Sequence, residues 1–158
     1  MLLKRPENDV APVNLLLVED DDFEAAAVKR AFLKARISNT IIRASDGEEA
    51  LDILEGRHPE KSISSPLIAL VDINMPRMGG MEFIAELRKR PHLSSLICFV
   101  LTTSSDPDDV SEAYALNVAG YIVKQTAGED FSNLLNLLGD YWVTVQMPCS
   151  PAPHPVPS

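Results

Sequence analysis

Cysteine is scarce. The 158 residues hold two, Cys98 inside an apolar run and Cys149 in a proline-rich tail, and two thiols so placed make no disulfide framework. That scarcity fits a reducing cytoplasm, with Cys98 as a small core residue. Long hydrophobic runs are missing too: no apolar stretch approaches the roughly 20 residues that a membrane span needs. The N-terminus (Leu2, Leu3, Lys4, Arg5, Pro6) has no apolar segment behind its charges and is no secretory signal. Basic residues are outnumbered, 14 against 23 acidic for a net charge of −9, which argues against non-specific nucleic-acid binding. The same balance suits a protein that carries a divalent cation or docks on a basic partner face. No internal repeat is present, and the length suits one domain with a full core.

What is present is organised around residues 67–80. Leu67 to Val71 run straight into Asp72, and Pro76, Gly79 and Gly80 then break the chain. An unbroken apolar run of this length reads as a strand buried on both faces. Leu15–Val18 is a similar run that stops in Glu19, Asp20, Asp21 and Asp22. Ile97–Leu101 stops in Thr102, Thr103, Ser104 and Ser105, and Gly120–Val123 stops in Lys124. A β-branched segment, Thr40 to Ala44, supplies one more strand.

Between these strands the spacing predicts helices. Phe23, Ala27, Ala31 and Phe32 recur at helical intervals. Ser45 to Glu48 has capping-box spacing with Ser45 at N-cap, and Thr126 to Glu129 repeats it ahead of Phe131, Leu134, Leu135, Leu138, Tyr141 and Trp142. Phe83, Ile84 and Leu87 mark a helix, and Asp106-Pro107-Asp108-Asp109 opens another, with Asp106 as N-cap. Five strands alternating with five helices predict an α/β fold, a doubly wound parallel sheet with right-handed crossovers. Residues 1–13 read as a loose, proline-punctuated segment, 14–146 as the domain, and 147–158, with five prolines, as an extended or disordered tail.

The strand ends carry the chemistry. In a parallel sheet they lie on one edge, so Glu19, Asp20, Asp72, Thr102 and Lys124 are expected in one crevice. Clustered carboxylates repel by about 4 kcal/mol for two charges 4 Å apart at an effective dielectric near 20. They stay ionised together when a cation sits among them. Carboxylates, a backbone carbonyl (here that of Asn74) and water form the ligand set of Mg²⁺. With Lys124 and Thr102 beside it, Asp72 is placed as a nucleophile toward phosphorus. Read singly, Asp72 could cap a turn, Lys124 could be a surface lysine and Thr102 a capping hydroxyl. The joint pattern selects the acceptor reading.

These residues resemble the receiver domain of two-component response regulators over roughly residues 13–140. The resemblance implies a flavodoxin-like five-stranded sheet in the order 2-1-3-4-5. It also implies Glu19 and Asp20 as the acidic pair, with Asp20 a direct metal ligand, and Asp72 in Val-Asp-Ile-Asn-Met-Pro as phosphoacceptor. Thr102 is then the switch hydroxyl, Tyr121 the switch aromatic and Lys124 the lysine. One departure is Gln125, which stands where receivers usually have a proline, often cis.

The 56–66 loop, Leu-Thr-Thr-Ser-Ser and the Asp-Tyr-Trp-Val-Thr-Val ending are similar to single-domain regulators that partner bacterial and cyanobacterial phytochrome histidine kinases. That likeness implies a sensor histidine kinase of the bacteriophytochrome type as partner. It also implies a homodimer through the last helix, with Leu134, Leu138, Tyr141, Trp142 and Val145 at the seam; the alternative is that this helix is simply buried on its own sheet. No output domain is expected after residue 146. The output would be a binding event, or phosphate passed onward in a relay, which could equally serve a non-phytochrome kinase. A phosphatase of the haloacid dehalogenase type needs a second aspartate where Asn74 stands. A non-phosphorylated binding scaffold commonly lacks the acceptor or the lysine, and both are here.

Overall fold

The structure, a computed structural model, describes residues 13–37, 39–75, 77–126, 128 and 131–144, with 142–144 by their backbone alone. Among these residues strands and helices alternate: β1 (Asn14–Val18), α1 (Asp22–Lys34), β2 (Ile41–Ala44), α2 (Gly47–Leu54), β3 (Leu67–Val71), α3 (Gly80–Lys89), β4 (Ile97–Thr102), α4 (Pro107–Ala115), β5 (Gly120–Val123) and α5 (Ser132–Thr144). The strands form one parallel sheet in the order β2-β1-β3-β4-β5. All five side chains of β3 are buried, as its unbroken apolar run requires.

An apolar layer forms on each face of the sheet. The two-residue period of β1 sends Leu16 and Val18 toward α2, α3 and α4, and Leu15 and Leu17 toward α1 and α5. Fully burying a Leu or Phe side chain stabilises by about 1.5–3 kcal/mol. The two layers therefore fix where the strand ends come to rest. Among the described residues no helix is long and apolar enough to cross a membrane.

Four local expectations are corrected. In α1 the buried side chains are Ala25, Val28, Ala31 and Phe32, whereas Phe23 is 86% exposed. Phe23 lies in the first turn, at the rim of the sheet, and the buried stripe begins only beyond it. The N-cap of α2 is Asp46, not Ser45. Asp46 Oδ1 accepts from the Glu49 N–H at 2.9 Å, and Glu49 Oε1 accepts from the Ser45 N–H at 2.7 Å. The box is displaced by one residue because Gly47 gives its N–H to the Met78 carbonyl at 3.0 Å and must enter the helix there.

The expected box from Thr126 does not open α5. Thr126 closes a 3-10 turn (Lys124–Thr126) and its hydroxyl donates to the Val123 carbonyl; Glu129 lies outside the described residues. Phe131 adopts a left-handed φ of 58°, and the α-helix starts only at Ser132. Val13, read as part of a loose segment, is 4% exposed and packs with Leu15 and Phe32. The rest of that segment and the proline-rich tail lie outside the described residues.

Candidate functional site

Register builds the site. Val18 of β1 lies beside Val71 of β3, so the residues that follow, Glu19 and Asp72, leave the sheet side by side. The Asp72 N–H donates to the Val18 carbonyl at 2.9 Å and the Glu19 N–H to Ala44 at 3.0 Å, which extends the ladder to the two carboxylates. Thr102 lies beside Val123, so Lys124 emerges next to it. Glu19, Asp72 and Thr102 are buried, at 4%, 8% and 0% exposure, and Asp20 sits exposed at the rim.

One oxygen from each of Glu19, Asp20 and Asp72 falls within 4.8 Å of the others. Asp72 Oδ1 accepts from the Asn74 N–H at 3.0 Å, while Oδ2 lies 3.5 Å from Lys124 Nζ. The ammonium also meets Glu19 Oε1 at 3.0 Å and the Glu24 carboxylate. Burial, with the charges of Glu19 and Asp20, pushes the Asp72 carboxyl up to about 7 against the lowering pull of the Asn74 N–H. Asp20 is raised by desolvation and by Glu19. Four carboxylates share one ammonium here, which leaves the set short of positive charge; the residues present fit an oxygen-binding divalent cation that would supply it.

The acidic run after β1 divides its work. Glu19 and Asp20 face the pocket, Asp21 caps α1 through the N–H groups of Phe23 and Glu24, and Asp22 pairs with Arg43. On the β4 side, Thr102 Oγ1 accepts from the Ser104 N–H at 3.4 Å, and the half-buried Tyr121 hydroxyl donates to the Ser104 carbonyl at 2.8 Å. Gln125 is exposed within the 3-10 turn after β5, and Lys124 still reaches the carboxylates.

The residues assigned to a dimer seam are placed differently. Leu134 and Leu138 are 1% and 2% exposed and pack with Leu70, Phe99 and Leu101 on the chain's own sheet. Tyr141 stacks edge-on against Phe99, with ring centroids 5.2 Å apart. Leu134 and Leu138 thus fill the chain's own core instead of facing outward, Tyr141 is partly buried, and Leu137, at 42%, is the exposed leucine of α5. The Trp142 side chain and Val145 lie outside the described residues.

Sequence reasoning missed three contributors. Glu24, in the first turn of α1, reaches the Lys124 ammonium. Arg77, in the loop after β3, pairs with the buried Asp46 carboxylate. Gly80 packs so closely that a β-carbon there would meet the Asp72 carbonyl oxygen at 2.2 Å. Only the glycine pair itself hinted at that approach.

The sequence profile of the response regulator receiver domain matches residues 15–136. The chain is 32% identical over 132 residues to a probable methanogenesis regulatory protein, FilR2, of Methanothrix harundinacea, covering 84% of each. It is 30% identical over 140 residues to the response regulator Rcp1 of Synechocystis, covering 88% of this chain and 95% of that protein. The crystal structure of the Mn²⁺-bound form of Rcp1 superposes with a TM-score of 0.74 at 31% identity, over 87% of this chain and 100% of that one. That of the phosphorylated cyanobacterial phytochrome response regulator RcpA does so with 0.73 at 28% identity, over 87% and 99%.

Proposed function

The chain belongs to the response regulator receiver domain family, and on that premise we propose that it accepts a phosphoryl group on Asp72 from a phosphohistidine of a sensor histidine kinase. The observation that carries this is the convergence of Glu19, Asp20 and Asp72 oxygens within 4.8 Å, with Lys124 3.5 Å from Asp72. Glu19, Asp20, Asp72 and the Asn74 carbonyl would hold Mg²⁺, which when bound offsets charge on the phosphoryl oxygens.

The rest is work for the chain's own residues. The Asn74 N–H fixes the Asp72 carboxylate. An Asp72 oxygen forms a bond to phosphorus as the donor's N–P bond breaks, and the bonding pair stays on the imidazole nitrogen. Lys124 pairs with the equatorial oxygens. Thr102 turns its hydroxyl to the new group and gives up the Ser104 N–H. Because Ser104 also accepts from Tyr121, the change passes to the β4–β5 face.

Chemistry on an outside phosphate ester has no support, since Asn74 stands where an acid/base aspartate would be needed. The likeness to the phytochrome response regulator RcpA supports a phytochrome kinase as donor, and this chain would meet it in the cytoplasm. A homodimer would use the outward side of α5 at Leu137, and sedimentation of Leu137→Glu against the parent chain tests it.

The test of the phosphoacceptor is intact mass after incubation with acetyl phosphate and MgCl₂. A Mg²⁺-dependent adduct of one phosphoryl group, absent in Asp72→Asn, is expected. An unmodified parent chain would end this reading. A panel of sensor kinases, phytochromes included, then identifies the donor.

A further inference from the structure

Lys124 meets one more carboxylate than the acceptor chemistry uses. Its side chain is 12% exposed, and its ammonium contacts Glu19 at 3.0 Å, Asp72 at 3.5 Å and also Glu24. Glu24 is the third residue of α1, where a glutamate ordinarily reaches back to the N-cap N–H. That N–H, of Asp21, is taken by Glu19 Oε2 at 3.2 Å. The Glu24 carboxylate is therefore left to reach across to β5.

Glu19 and Asp72 belong to the set that fits a divalent cation, and Glu24 does not. Among the described residues its charge is turned to Lys124. A phosphoryl group on Asp72 carries about −1.5 to −2. Glu24 carries a single charge on a side chain 38% exposed to water. The modified acceptor therefore outcompetes it.

We propose that Glu24 is a positioning residue: it draws Lys124 away from the acceptor in the unmodified protein and yields it to the phosphoryl oxygens after transfer. It thereby sets how readily Asp72 gains and keeps the group. This rests on the phosphoacceptor reading above and adds a restraint on it from α1.

The test is titration of the full chain with beryllofluoride, a phosphoryl mimic, in MgCl₂, beside the rate of labelling by acetyl phosphate and the Mg²⁺ Kd by calorimetry. Glu24→Gln is expected to bind beryllofluoride about 3- to 10-fold tighter and to label correspondingly faster, with the Mg²⁺ Kd within about twofold. Glu24→Asp should return toward the parent values. Asp22→Asn removes the same charge from the same helical turn without touching Lys124, its carboxylate being 88% exposed and paired with Arg43. It should match the parent. A Glu24→Gln affinity within about twofold of the parent, or an equal gain in Asp22→Asn, overturns the proposal. A parent chain that takes neither beryllofluoride nor phosphate instead removes the phosphoacceptor reading, and this inference with it.

Discussion

The pocket is flanked by two strands built on different terms. On the β3 side every strand side chain is buried, and the following loop is tied down by backbone: Gly47 donates to the Met78 carbonyl at 3.0 Å, and Gly80 lies against the Asp72 carbonyl. On the β5 side none of the four strand residues is fully buried. The functional groups there and at the end of neighbouring β4 hang on side-chain contacts, Lys124 on carboxylates, Tyr121 on one carbonyl and, on β4, Thr102 on one amide. Backbone packing of the first kind does not shift without breaking the core, while side-chain bonds of the second kind exchange partners at small cost. The acceptor and its cation ligands therefore sit on the rigid flank, and the parts that must respond sit on the other.

The largest effect expected from this contrast is at Gly80. A β-carbon there meets the Asp72 carbonyl oxygen at 2.2 Å and Ile73 Cα at 2.7 Å, both backbone. Gly80→Ala should cost about 3 kcal/mol or more in urea denaturation. The matching change on the other flank, Gly120→Ala, meets only the Phe99 ring at 3.1 Å. It should cost about 1 kcal/mol or less, since a ring can turn. Equal losses at the two glycines would break the comparison.

Next is the acceptor carboxylate. Its pKa is about 7 in the fold against a model-peptide value of 3.8, with burial the first cause. Below that lower value the group is protonated folded or unfolded and contributes nothing. As pH rises toward 7 the unfolded chain gives up the proton first, so stability falls, and above 7 the full cost of the buried charge remains. Asp72→Asn should therefore stabilise the metal-free protein at pH 8 by about 2–4 kcal/mol and leave it nearly unchanged at pH 4. MgCl₂ should raise the Tm of the parent chain more at pH 8 than at pH 5. Thermal scans at the two pH values check both; a stabilisation equal at pH 4 and pH 8 would mean that charge is not the cause.

A smaller effect sharpens the rigid side. Asp46 caps α2 and, with its other oxygen, holds Arg77 in the loop that carries Asn74. Asp46→Ala should cost about 1 kcal/mol from the cap. Asp46→Asn keeps the cap and loses the ion pair. Both should weaken Mg²⁺ binding by calorimetry, by up to about 10-fold, the low end for ligand-orienting partners because Asp46 acts on the loop and touches no ligand itself. An Asn variant with unchanged Mg²⁺ affinity would show that the loop is placed by its glycines alone.

The same contrast governs what the sequence disclosed. Buried strands announce themselves as apolar runs, and a carboxylate, hydroxyl or lysine ending such a run must come to the sheet edge. The strands themselves and the arrival of Asp20, Asp72 and Lys124 at one edge were therefore legible, whereas the strand order came only with the resemblance to receiver domains. Phe23 misled because helical spacing records which residues share a face, not how far the sheet extends beneath it. The start of α5 misled because the spacing from Thr126 to Glu129 says nothing of the 3-10 turn or of the left-handed Phe131 that delays the helix. Leu134 and Leu138 have the same apolar character in a core as in a seam, and only their contacts decide. Glu24 went unread because its role depends on Glu19 having taken the Asp21 N–H, a competition between side chains that spacing does not encode.

The smallest effect falls on the adaptable flank. Tyr121→Phe removes the hydroxyl that donates to the Ser104 carbonyl and keeps the ring against the α2–α4 core layer. One half-buried hydrogen bond is worth about 0.5–1 kcal/mol, so denaturation should barely move. Labelling of Asp72 by acetyl phosphate should stay within about twofold of the parent, because the acceptor, its carboxylates and Lys124 are held elsewhere. What should change is the answer to phosphorylation. Amide exchange across residues 103–109, slowed or quickened by the modification in the parent chain, should already lie near its altered level in unmodified Tyr121→Phe and respond little further. Were Tyr121→Phe instead to slow labelling as strongly as Lys124→Ala, the two flanks would share one rigid unit, and the division between holding the acceptor and reporting its state would be wrong.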